Sequence, residues 1–79
     1  MSPDDVRTTV QRIFGEVFED EEFEFSDGLS RESLKSWDSL GHIRLITAIE
    51  EGLNVSFTIE EIESCTSAGK ILQTLLTRN

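Results

Sequence analysis

One cysteine stands in the chain, Cys65, so no internal disulfide can hold the fold together. That fits a reducing compartment and leaves stability to packing, with Cys65 read as a small core hydrophobe. The one histidine, His42, adds too little to assemble a soft-donor metal site. Bases are scarce: seven against sixteen acids give a net charge of −9. Such a balance argues against nucleic acid and anionic membrane as partners, and for proteins with basic surfaces. No apolar run is long enough for a membrane span or a secretory segment, so the expectation is a soluble, cytoplasmic protein. Gly28, Gly41, Gly52 and Gly69 are isolated, so no glycine-rich phosphate loop is present. At 79 residues, one domain burying about 60–65% of its unfolded surface is expected, too small for a deep cleft. Its carboxylates then lack the burial that would tune one for acid–base work, and the chain reads as no enzyme.

What is present is helical periodicity. Ser2 and Pro3 open a helix with acids in its first turn, and Val6, Val10, Ile13, Phe14, Val17 and Phe18 form one apolar stripe. Five acids among residues 19–24 then predict a solvated segment that ends the helix. Calcium is the sharper reading of this stretch, but the glycine and ligand spacing of an EF-hand are missing, which favours a solvated segment. Phe23 and Phe25 are candidate anchors for a long acidic connection, Ser26-Asp27-Gly28 is a turn, and Leu29 and Leu34 cover the core, with one helical turn expected near Ser30–Leu34. Thr58 and Glu61 make a capping box flanked by Phe57 and Ile62 at staple positions. Ser64 to Ser67 supply caps for a last helix striped by Ala68, Ile71, Leu72, Leu75 and Leu76. The expected fold is all-α: a small four-helix bundle with longer helices near 3–18, 38–51 and 67–77, a short one near 58–63, and a long acidic loop after the first.

The second helix follows Trp37-Asp38-Ser39-Leu40-Gly41-His42-Ile43. Asp38 or Ser36 can cap it, and Gly52 is expected to end it with a positive φ. On a wheel of about 100° per residue, His42, Leu45, Ala48 and Ile49 share the buried side, with Ile46 at its edge. Leu40, Arg44, Thr47 and Glu51 share the outward side. Leu40 either packs on the loop or offers a contact to a visiting protein. Trp37 reads as a packing anchor, and His42 as a partly buried packing or hydrogen-bonding residue with no nucleophile beside it. Ser39 falls in the first turn, at the positive end of the helix dipole, where a phosphate would meet free backbone N–H groups. Taken alone, Asp38-Ser39 reads as a helix cap and nothing more, and it is the rest of the chain that changes this.

Asp38-Ser39-Leu40 at mid-chain, with Ala48-Ile49-Glu50-Glu51 closing the same helix, resembles the attachment site of acyl carrier proteins and peptidyl carrier domains. The resemblance extends from Pro3 to near Thr77. It implies a monomeric carrier with phosphopantetheine, taken from coenzyme A by a phosphopantetheinyl transferase, on Ser39. Asp38 supports that attachment by helping to position magnesium, and the arm holds an acyl or aminoacyl group as a thioester for partner ligases or synthases. Leu40, Gly41, Arg44, Thr47 and Glu51 would then be partner contacts. Fatty-acid carriers resembling this chain usually have acids where Gly41 and Arg44 stand, so the implied role is a specialised biosynthetic pathway rather than fatty-acid synthesis. The rival reading is an acidic helical adaptor for a basic protein, with Ser39 only a cap.

The charge excess generates a prediction independent of function. Exposed like charges are screened by salt, so the melting temperature should rise between very low ionic strength and about 0.15 M, where the Debye length is about 8 Å. A flat or falling melting temperature would show that the acids are already dispersed or paired.

Overall fold

A computed structural model describes residues 2–77. Among them it contains four helices and no strand, the all-α class expected: α1 (Pro3–Val17), α2 (Ser39–Leu53), α3 (Ile59–Ser64) and α4 (Ala68–Leu76). α1 begins as its sequence directs. The Ser2 hydroxyl accepts from the Asp5 N–H, Pro3 occupies the first turn, and Asp4 and Asp5 sit at the positive end of the helix. Val6, Val10, Ile13 and Phe14 are buried on one face, and Phe18 caps the end. α1 packs against both α2 and α4. Leu45, Ile46 and Ile49 of α2, with Ala68, Ile71, Leu72 and Leu75 of α4, complete the apolar interior. Each such fully buried aliphatic or aromatic side chain contributes about 1.5–3 kcal/mol.

The short helix has both halves of the expected capping box: Thr58 Oγ1 accepts from the Glu61 N–H, and the Glu61 carboxylate accepts from the Thr58 N–H. Phe57 and Ile62 both pack on the core. Ser67 caps α4, accepting from the Lys70 N–H. Cys65 is fully buried.

The end of α2 corrects one expectation. The helix does not stop at Gly52, which has no positive φ; it runs to Leu53 and ends on Asn54, whose φ is 54°. Asparagine enters the left-handed region more readily than most residues. Its turn brings the Val55 N–H back to the Glu50 carbonyl at 3.1 Å. Gly52 answers a packing need instead, because a Cβ there would lie 3.0 Å from Ile13 Cδ1 on α1.

The connection from α1 to α2 is folded onto the body. Phe25 meets Phe14 edge to face, with centroids 5.2 Å apart, and Leu29, Leu34 and Trp37 are buried. Arg7 pairs with Asp27 at 2.6 Å and lies over the Phe25 ring. The carbonyls of Leu29 and Asp27 accept from the Ala68 and Gly69 N–H groups at 2.8 and 2.9 Å, so this loop closes the open amides at the start of α4. Where a helical turn was expected, residues 31–33 form only a hydrogen-bonded turn, with Ser33 N–H on the Ser30 carbonyl.

Two glycines should respond oppositely to alanine. Gly15 is an exposed α1 residue with open space where a Cβ would sit, so Gly15→Ala should stabilise by about 0.5–1 kcal/mol. At Gly69 a Cβ would come within 2.8 Å of the Asp27 carbonyl oxygen. Gly69→Ala should therefore destabilise by about 1–3 kcal/mol. Urea midpoints of both variants decide it, and shifts of the same sign would disprove the pairing of α4 with the loop.

Candidate functional site

The site is built from the turn that delivers the chain into α2. Leu34 and Trp37 anchor it from below, with the Trp37 N–H on the Leu34 carbonyl. Glu21 clasps it from the side: its carboxylate oxygens accept from the backbone N–H groups of Lys35 and Ser36 at 2.9 and 2.7 Å. Of the two possible caps, Asp38 is the one used. Its backbone is extended, its Oδ1 accepts from the Gly41 N–H at 2.8 Å, and its carbonyl accepts from the His42 N–H at 2.8 Å.

Ser39 is the first helical residue and is exposed. Its hydroxyl makes no hydrogen bond among the described residues, and the N–H groups of Ser39 and Leu40 are likewise unpaired. The site thus combines a free primary hydroxyl with two open donors at the positive end of a helix of 15 residues. One Asp38 oxygen is committed to the cap. Arg31 Nε donates to the Trp37 carbonyl at 3.4 Å, fixing the peptide just before Asp38.

The outward face is as the wheel placed it for Leu40, Arg44, Thr47 and Glu51, all exposed. Leu40 is 67% exposed, which decides between its two readings: it does not pack on the loop. Ile43, 60% exposed, joins the same face; the wheel position was there to be read, one turn beyond Ser39. A shallow groove between α1 and α2 runs alongside, with Glu16 and Val17 facing Ile43 and Thr47.

Gly41 requires a correction. It does not share that face; it is buried, and a Cβ would overlap the Ser36 carbonyl oxygen. A partner cannot read this position as surface, and an acid there could not be accommodated without moving the turn. The glycine is present so that the incoming chain can cross the helix closely.

His42 is buried as expected, and the structure supplies its partners. Trp37 Nε1–H donates to His42 Nδ1 at 2.9 Å, with the two rings stacked at 23°, and His42 Nε2 lies 2.8 Å from the Ile62 carbonyl oxygen of α3. Sequence reasoning missed both this chain of bonds and the Glu21 clasp. Among the described residues no group of three or more His, Cys, Asp and Glu side chains converges as a metal site, and no helix is long and apolar enough to cross a membrane. Comparisons with models of protein families, with curated proteins and with solved structures find no match.

Glu21 yields a pH prediction. The Ser36 backbone N–H is the largest influence holding its carboxyl below the ordinary value of 4.5; a smaller desolvation opposes, and Lys35 reinforces. A carboxylate with a depressed folded pKa stabilises fully above its unfolded value and loses that contribution as pH falls through the folded one. Glu21→Gln should therefore lower the melting temperature at neutral pH, and the gap from wild type should narrow as pH falls below the ordinary carboxyl range and through the depressed folded value. Glu22→Gln controls for lost charge alone. Equal effects of the two substitutions, or a gap that widens in acid, would exclude the clasp.

Proposed function

We propose that this chain is a carrier protein, a small four-helix bundle with a long acidic loop, that holds an acyl or aminoacyl group on a phosphopantetheine arm attached to Ser39. The observation that carries the reading is the Ser39 hydroxyl: exposed, unengaged, and held at the first position of α2 by the Asp38 cap and the buried Gly41 and His42 behind it. A hydroxyl so placed is open to a visiting enzyme. A phosphodiester on it would lie beside the open Ser39 and Leu40 N–H groups, at the end of the helix that favours negative charge.

Ser39 Oγ attacks the pantetheine-side phosphate of coenzyme A within the transferase, forming the phosphodiester; adenosine 3′,5′-bisphosphate leaves, and the hydroxyl proton passes to a base of that enzyme. Asp38 keeps one oxygen for the Gly41 N–H, and its other oxygen would help to position the magnesium used in the transfer. When bound, the arm supplies a terminal thiol, so the carrier itself needs no catalytic group and is not an enzyme. Tethering makes each later encounter effectively intramolecular. Leu40 and Ile43, with Arg44, Thr47 and Glu51, form the face that partner ligases or synthases meet. Arg44 sets a positive charge where an enzyme built for fatty-acid carriers meets an acid, which supports a specialised pathway. In this reading the protein works as a cytoplasmic monomer.

Incubation with coenzyme A, magnesium and a broad-specificity transferase should add one phosphopantetheinyl mass to wild type and none to Ser39→Ala. Asp38→Asn retains a competent cap but not the charge, and should be modified more slowly while equally folded. Modification of Ser39→Ala, or none of folded wild type, would refute the assignment, the second result leaving an acidic adaptor as the reading to pursue.

A further inference from the structure

We infer that His42, bridging Trp37 and α3, is a positioning residue that sets the orientation of Ser39. The inference rests on the reading of Ser39 as the attachment point. The direction of each bond follows from chemistry. An indole N–H only donates, so His42 Nδ1 must be the acceptor and carry no proton. The ring proton of the neutral imidazole is then on Nε2, which donates to the Ile62 carbonyl. One side chain thereby joins the turn before α2, the first turn of α2, and α3.

Its place in the helix gives this bridge its consequence. The His42 backbone N–H makes the bond to the Asp38 carbonyl that opens α2. Its side chain, meanwhile, fastens Trp37, the residue immediately before Asp38. Ser39 lies between these two fixed points. Gly41, pressed on the Ser36 carbonyl, narrows the freedom of the same turn. Both Trp37 and His42 are buried, 2% and 7% exposed, so an indole N–H left without its acceptor finds no water to replace it. α3 has no fully buried side chain of its own, which makes the Ile62 carbonyl a tie between α3 and α2 rather than a bystander.

The functional effect is on the fraction of molecules presenting Ser39 correctly. When the competent arrangement is only partly populated, apparent affinity falls by that fraction while the chemical step is unchanged. Loss of the Trp37 bond should therefore raise KM for the transferase and leave kcat alone. The two bonds separate by substitution. His42→Asn keeps an acceptor at the position of Nδ1, His42→Gln keeps a donor at the position of Nε2, and His42→Ala keeps neither.

The experiment uses the full-length protein and three readouts. Imidazole nitrogen shifts should report a proton on Nε2 in wild type; a proton on Nδ1 would overturn the inference whatever the variants do. Hydrogen exchange at the Gly41 amide should accelerate about tenfold in His42→Gln and His42→Ala, the factor for about one buried hydrogen bond, with the Val10 amide of α1 unchanged. His42→Asn should restore protection, and transferase KM should follow the same pattern, up about tenfold with kcat constant where protection is lost. Equal acceleration at Gly41 and Val10 would assign His42 to general stability and overturn its positioning role, as would a failure of His42→Asn to rescue. Wild type that is never modified, yet shows the selective exchange pattern, would remove the carrier reading and uphold His42 as the residue that fixes the start of α2.

Discussion

The edge of one ring against the face of another, Phe14 and Trp37 with centroids 5.2 Å apart and planes at 82°, joins the first helix to the end of the long connection. Aromatic pairs in this arrangement add about 0.5–1.5 kcal/mol to what burial contributes. Phe18 lies 5.8 Å from both rings, and Phe25 meets Phe14 on another edge. The cluster does by packing what regular secondary structure does elsewhere. It fixes where an irregular stretch of some twenty residues must return to the helices. Once Trp37 is seated, the next residue is Asp38, the cap, and the one after it is the exposed serine. The position of the candidate site thus starts from a hydrophobic contact, on which the Glu21 clasp, the Asp38 cap and the Trp37–His42 bond then build.

Charge acts at a different level. Within the acidic stretch, Glu21 is drawn into backbone hydrogen bonds while Glu22 and Glu24 stay exposed. The described residues contain two ion pairs, Arg7 with Asp27 and Arg12 with Glu16, both exposed. Pairs of that kind contribute about 0–1 kcal/mol. The large negative charge is therefore mainly a property of the surface and is not what closes the fold.

How much of this the sequence disclosed depends on how local each cause is. Caps and stripes are decided within a few residues, so Ser2, Asp38, the Thr58–Glu61 box and Ser67 could be read directly, as could the buried faces of α1, α2 and α4. The candidate serine was legible for the same reason. Gly52 was misread because a glycine near a helix end serves either a left-handed turn or a close crossing, and only the presence of Ile13 above it distinguishes them. Gly41 misled in the same way, since the chain it accommodates is the Ser36 carbonyl arriving from outside the helix. Glu21 was one acid among five, with nothing local to single it out. The Trp37–His42 bond joins residues five apart in the sequence, yet the second anchor of the same ring is a carbonyl from α3, twenty residues on, which no local pattern discloses.

The segment Asp27–Arg31 looks, by secondary structure, like a place where a chain would accept an insertion. Exposed connections usually are such places. Here its backbone is engaged with the start of α4: the Asp27 and Leu29 carbonyls accept from Gly69 and Ala68, and the Arg31 N–H reaches the Thr66 carbonyl. An affinity tag or a new terminus cut between these residues would uncap the last helix as well as lengthen a loop. The acidic stretch at 22–24 is freer of backbone ties of this kind, and a graft is better borne there. For anyone re-engineering this chain, its most irregular region contains one of its least permissive splice points.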